Sequence, residues 1–98
     1  MIRNVVVGTV RDGVGSPEVE EALQALRDLC VEGVTLRCVA GADLGLREGN
    51  ASFAITVDLD SEEAYRIYDA DPEHNRIRRE LFAPISASIS RIQFALPD

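Results

Sequence analysis

The chain has 98 residues, a length suited to one domain, and its 46% hydrophobic and 28% charged residues exclude intrinsic disorder and a fibrous repeat. Ten arginines, no lysine and 17 acids give a formal charge of −7, a net-acidic surface that disfavours phosphate backbones and anionic membranes, so nucleic acid is not an expected partner. No apolar run approaches the ~20 residues that span a bilayer, and Met1-Ile2-Arg3-Asn4 leads into a strand instead of a signal peptide, so the expected setting is the cytoplasm without membrane contact.

Ile2 to Val10 reads as a Val-rich strand buried on both faces, with Ile2, Asn4, Val6, Gly8 and Val10 on one side and Arg3, Val5, Val7 and Thr9 on the other. Arg11 to Gly15 breaks it, and Ser16-Pro17 supplies an N-cap and a first-turn proline for a helix whose early acids Glu18, Glu20 and Glu21 suit the dipole. Val19, Ala22, Leu23, Leu26, Leu29 and Cys30 recur at helical spacing, so this helix, running to about Leu29, presents one apolar stripe to a sheet. A second strand is expected over Val34 to Ala40, followed by a Gly-bearing loop over Gly41 to Asn50 and a third strand over Ala51 to Leu59.

Asp60 to Glu63 caps a second helix, with Asp60 and Glu63 at capping-box spacing. Asp71-Pro72 interrupts that helix, and Asp71 caps a third, which carries His74, Ile77, Leu81 and Ile85 along one side until Pro84 ends it. Ser86 to Leu96 is the last strand. The resulting order predicts an α+β, ferredoxin-like βαββαβ domain over residues 1–98, with a four-stranded antiparallel sheet and helices on one face. Val5, Val7 and Val39 then need a cover on the other face, and a second copy closing two sheets into a dimeric α+β barrel would provide it.

Met1 to Val7, the stretch Phe53 to Ala64, and above all Tyr65-Arg66-Ile67-Tyr68-Asp69-Ala70-Asp71-Pro72-Glu73-His74 resemble the stress-responsive A/B barrel family, often called Dabb, over essentially the whole chain. The last segment resembles that family's tyrosine followed by a His-Pro-x-His turn. The resemblance implies a homodimeric barrel with a cavity in each subunit between sheet and helices. A plant branch of the family closes linear polyketides by aldol condensation without a cofactor, using a Tyr before the turn and the turn's second His, which fall on Tyr68 and His74. Asn4 and Asp71 stand where those enzymes carry further histidines, and the helix after His74 is about one residue longer than usual for the family.

His74 is the single histidine, and its helical phase with Leu81 and Ile85 turns it inward. A desolvated imidazole there can abstract an acidic α-proton or simply pack and cap the broken helix. Tyr68 can donate to a developing enolate or be a core tyrosine. Asn4, an amide among valines, needs a hydrogen-bonding partner, either across a pocket facing His74 or in the backbone. Gly8 frees volume for a cavity or permits a close contact. The expected site therefore has His74 and Tyr68 as catalytic groups and Asn4, Val6, Gly8, Leu23, Leu26, Ile77 and Leu81 around a small apolar or aromatic carbonyl metabolite.

No metal and no cofactor are expected: one His with Cys30 and Cys38, separated by seven residues, lacks zinc-site spacing, and no nucleotide or phosphate-loop fingerprint is present. The two cysteines read as buried thiols, and Arg76, Arg78 and Arg79 read as a solvated helix face. The reading is a small-molecule-binding dimer with cyclase- or lyase-like chemistry. A non-catalytic ligand-binding or stress-associated homodimer is the alternative, and a cofactorless monooxygenase is less favoured for want of Trp and of a second His.

Overall fold

The computed structural model describes residues 1–97, so the last residue of the expected 1–98 domain, Asp98, lies outside the described residues. In chain order the elements are β1 (Ile2–Val10), α1 (Ser16–Arg27), β2 (Leu36–Ala42), β3 (Phe53–Leu59), α2 (Glu62–Ala70), α3 (Pro72–Ile77), a π-helical turn (Arg78–Phe82) and β4 (Ser86–Ala95). The strands form one sheet in the order β2-β3-β1-β4 with every neighbouring pair antiparallel, the ferredoxin-like arrangement. Among the described residues no helix is long and apolar enough to cross a membrane.

Alternation along the strands decides which face the helices cover. Phe53, Ile55, Val57 and Leu59 of β3 are buried against Val19, Ala22, Leu23 and Leu26 of α1 in one core cluster that also takes in Tyr68, Ile77 and Phe82. Arg27, at the end of α1, ties helix to sheet: its Nη2 donates to the Ala40 carbonyl at 2.8 Å, and the guanidinium also pairs with Glu20.

The ends of the elements differ from expectation where local hydrogen bonds compete. Helix α1 is capped by Gly15, whose N–H donates to the Glu18 carboxylate at 2.9 Å, one residue before the expected Ser16. It also ends at Arg27, and past that point Leu29 and Val31 turn inward while Cys30 faces solvent. The expectation of two buried thiols is thus corrected: Cys30 is exposed, and only Cys38 is half-buried. Strand β2 starts at Leu36 because Val34 is used in a turn, its N–H donating to the Val31 carbonyl around Gly33, whose φ of +79° suits glycine. Strand β3 starts at Phe53 because Ser52 is occupied otherwise, its N–H donating to the Gly8 carbonyl and its hydroxyl accepting from the Val10 N–H. In α2 the cap is Ser61, which accepts the Ala64 N–H, in place of the expected Asp60.

The outer face of the sheet has no helix over it. Register partners Arg3 and Asp58 form a two-pronged ion pair there, at 2.7 and 2.9 Å, and the Asp58 carboxyl is held below the usual range by that hydrogen bond. Around this pair, Val39, Ile92 and Phe94 are 55%, 60% and 43% exposed, an unpartnered apolar band with Val5 and Val7 between them.

Gly8 illustrates how side-chain volume sets the packing. It lies opposite Phe53, and a β-carbon added to it would sit 2.2 Å from Phe53 Cζ. The missing side chain is replaced by the Phe53 ring, which packs on Phe82 with centroids 5.5 Å apart. Gly8→Ala is expected to lower unfolding free energy by about 1–3 kcal/mol through overpacking, and adding Phe53→Leu to recover part of the loss. Denaturant melts of wild type and the two variants check this, and an alanine that costs nothing would contradict it.

Candidate functional site

The site is organised by the break between α2 and α3. Asp71 donates its N–H to the Tyr68 carbonyl at 3.2 Å, closing α2, while its Oδ2 accepts the His74 N–H at 3.0 Å, opening α3 with Pro72 in the first turn. Tyr68 therefore sits in the last turn of one helix and His74 in the first turn of the next. Their rings lie face to face at a slant, centroids 4.1 Å apart and planes 34° apart.

Both groups line a cavity of about 430 Å³ between the sheet and the helices, within the size range of small-molecule sites. His74 is 7% exposed, and its Nδ1 is buried without a hydrogen-bond partner. Burial, and then the nearby Arg78 cation, push its pKa below the ordinary histidine value, against smaller opposing effects of Asp69 and Asp71. The imidazole is thus neutral at neutral pH. Burial raises the Tyr68 phenol well above its usual pKa, so it remains a hydrogen-bond donor. A neutral base beside a protonated phenol is suited to proton abstraction next to a carbonyl whose oxygen needs a donor.

Asn4 also lines the cavity, but its satisfaction comes from elsewhere than expected. Its Oδ1 accepts from Gln93 Nε2 at 2.7 Å across the β1–β4 ladder, where the two residues are register partners. The carbonyl is used by the sheet, and the amide NH2 is what remains for a ligand. Val6 and Leu26 line the cavity as expected.

Four expected lining residues do not. Leu23 and Ile77 lie fully inside the core, Gly8 lies under the Phe53 ring, and Leu81 is only partly buried and outside the cavity. The cause at Leu81 is the π turn, marked by the Ala83 N–H donating to the Arg78 carbonyl at 2.9 Å. Its extra residue rotates the next turn, so Phe82 takes the inward place that α-helical spacing would give Leu81. Phe82 and Ala83 join Ile55, Tyr65 and Ile89 in the lining. Ile55 and Arg91 were legible as the cross-strand partners of Val6. Arg76, Arg78 and Arg79 keep the expected solvated helix face, 43%, 42% and 70% exposed and paired with Glu73, Asp69 and Glu80, and Arg78 and Arg79 in addition border the cavity.

The profile of the family described as the stress responsive A/B barrel domain, Dabb, matches residues 2–95. No curated protein matches the chain. A dimeric ferredoxin-like protein of unknown function from Thermobifida fusca superposes with a TM-score of 0.86 at 35% identity, covering 97% of this chain and 90% of that one. A Dabb family protein from Mesorhizobium loti superposes at 0.78 with 20% identity over 99% of this chain and 97% of the other. Hydroxynitrile lyase from Passiflora edulis superposes at 0.82 with 14% identity over 99% and 94%, a likeness of fold alone.

Because the chain has one histidine, a proton NMR titration reads His74 without ambiguity. The expected midpoint lies below the ordinary value of 6.5, and a midpoint at or above it would contradict the burial described. A folded pKa below the unfolded one also means that stability present above pH 6.5 is lost as pH falls through the folded value. Wild type should therefore lose more stability than His74→Gln between about pH 7.5 and about pH 5.5.

Proposed function

We propose that this chain, which belongs to the stress responsive A/B barrel family, is a homodimer whose pocket binds a small carbonyl metabolite and removes a proton α to the carbonyl. The observation that carries the reading is that His74, held neutral by burial, and Tyr68 line one cavity with their ring centroids 4.1 Å apart.

In the proposed reaction, neutral His74 accepts the α-proton, and the electron pair of that C–H bond moves through the α-carbon onto the carbonyl oxygen. The resulting enolate oxygen receives the Tyr68 hydrogen bond, strongest when charge develops there in a water-poor site. The Asn4 amide NH2, fixed by Gln93, offers a second donor on the sheet side. The enolate carbon then attacks a second carbonyl of the same molecule, and imidazolium returns its proton to the new alkoxide, which gives aldol cyclisation of a polyketide-like chain. These steps draw on the chain's own groups, and no cofactor is assigned a part. The two free thiols suit the reducing cytoplasm, where we place the protein.

The dimer belongs to the same reading. Exposed Val7, Val39, Ile92 and Phe94 share the outer sheet face, and a second copy of that face would remove them from water. The 35%-identical Thermobifida fusca protein is itself dimeric, which supports this assembly. Light scattering at micromolar concentration is expected to give twice 10.7 kDa for wild type and a smaller particle for Ile92→Glu, whereas a monomeric wild type would remove the barrel.

For the chemistry, poly-β-keto thioesters are to be screened for cyclised product. His74→Gln should abolish turnover, and Tyr68→Phe should lower kcat by about 10²-fold with little change in KM, since the lost bond acts mainly in the transition state. Turnover indifferent to His74→Gln would refute the base role. Saturable binding with no turnover in wild type would leave a ligand carrier.

A further inference from the structure

The mouth of the pocket runs against the charge of the molecule. The chain carries −7 overall, yet Arg78, Arg79 and Arg91 line this one cavity, with Asp69 as the carboxylate among them. Arg78 is held from one side by the Asn75 Oδ1 at 3.3 Å and has Asp69 only at 3.7 Å. Arg79 is largely exposed, and its partner Glu80, at 3.8 Å, is shared with Arg76 at 3.5 Å. Arg91 has no ion-pair or hydrogen-bond partner among the described residues.

Two independent elements make this cluster. Arg91 is the β4 partner of Val6, which lines the cavity floor, so it sits on the helix-facing side of the sheet edge. Arg78 and Arg79 come from the π turn, whose phase shift brings them to the same opening. Like charges gathered from separate elements repel one another; Asp69 at 3.7 Å offsets Arg78 and the shared Glu80 at 3.8 Å offsets part of Arg79, which leaves Arg91 unpartnered among the described residues. A bound anion would relieve that repulsion and would meet planar guanidinium forks, which hold carboxylates in two-pronged geometry.

We infer that this mouth selects a carboxylate on the bound metabolite, so the substrate class is an acidic carbonyl compound with an apolar or aromatic body. This rests on the pocket reading proposed above and adds to it which end of the ligand faces out: the carboxylate lies at the arginines, and the carbonyl reaches inward to Tyr68 and His74. A phosphate is the other anion that arginines bind. It fits less well, because Asp69 lines the same opening and repels a dianion more strongly, and the sequence offers no glycine loop of backbone N–H groups to cradle it.

The test is titration calorimetry of the full chain with three probes that share one body: 2-naphthoate, 2-naphthamide and 2-naphthyl phosphate. Naphthoate should bind about tenfold more tightly than the amide, and added salt should shrink that advantage. Arg91→Gln and Arg78→Gln should each lower naphthoate affinity more than naphthamide affinity, while Arg47→Gln, outside the pocket, should leave the ratio as in wild type. Equal binding of acid and amide would overturn the carboxylate inference and leave the pocket standing. Phosphate binding tighter than carboxylate binding would also overturn it. If none of the three binds, the pocket reading itself fails and this inference with it.

Discussion

Asp71 ends one helix and begins the next, and the whole site depends on that double capping. Tyr68 and His74 are six residues apart in sequence, so on an unbroken helix they would point about 120° apart around one axis and could not meet. Pro72 cannot continue α2 without losing a backbone bond, and Asp71 satisfies the freed His74 N–H from its own carboxylate. The chain turns between the two residues, and their rings come to 4.1 Å between centroids. An acidic residue is well chosen for the position, since it both suits the positive end of α3 and raises no steric objection to the extended backbone that precedes proline.

That break was legible in the sequence, because Asp-Pro punctuates a helix by a local mechanism. The strands were legible for the same kind of reason: alternation along Phe53 to Leu59 and Ile2 to Val10 leaves one consistent pairing. Asn4, Val6, Leu26, Tyr68 and His74 accordingly fell where the alternation and helical phase put them. What the sequence hid were effects of geometry beyond the nearest neighbours. The π turn has no residue signature in Arg78–Phe82, so α-helical counting put Leu81 inward where Phe82 belongs and gave no sign that the exposed Arg78 and Arg79 also border the pocket. Gly8 looked like empty space, and only the ring from the neighbouring strand shows that the space is filled. Cys30 kept helical phase on paper, but α1 stops before it.

The sheet divides two tasks between its faces. On the helix side, burial depresses the basicity of His74 and the acidity of Tyr68 together, which holds both in neutral forms. On the outer side, the Arg3–Asp58 pair sits in an apolar band that no helix covers. The two faces are coupled through β1, since Asn4 and Val5 are adjacent residues pointing opposite ways. Anything that covers the outer face therefore stiffens the strand that carries Asn4 and its Gln93 partner. The molecule carries −7 overall, and Arg78, Arg79 and Arg91 gather at the one opening.

The central claim is that His74 takes a proton from carbon. The most direct measurement is deuterium wash-in at the α-position of an aryl β-diketone in D2O, followed by proton NMR, with the rate in buffer subtracted. The account predicts catalysed exchange with wild type, lost in His74→Gln and retained when the distant loop residue Arg47 is changed to Gln. Exchange no faster than buffer, or exchange that survives His74→Gln, would contradict it.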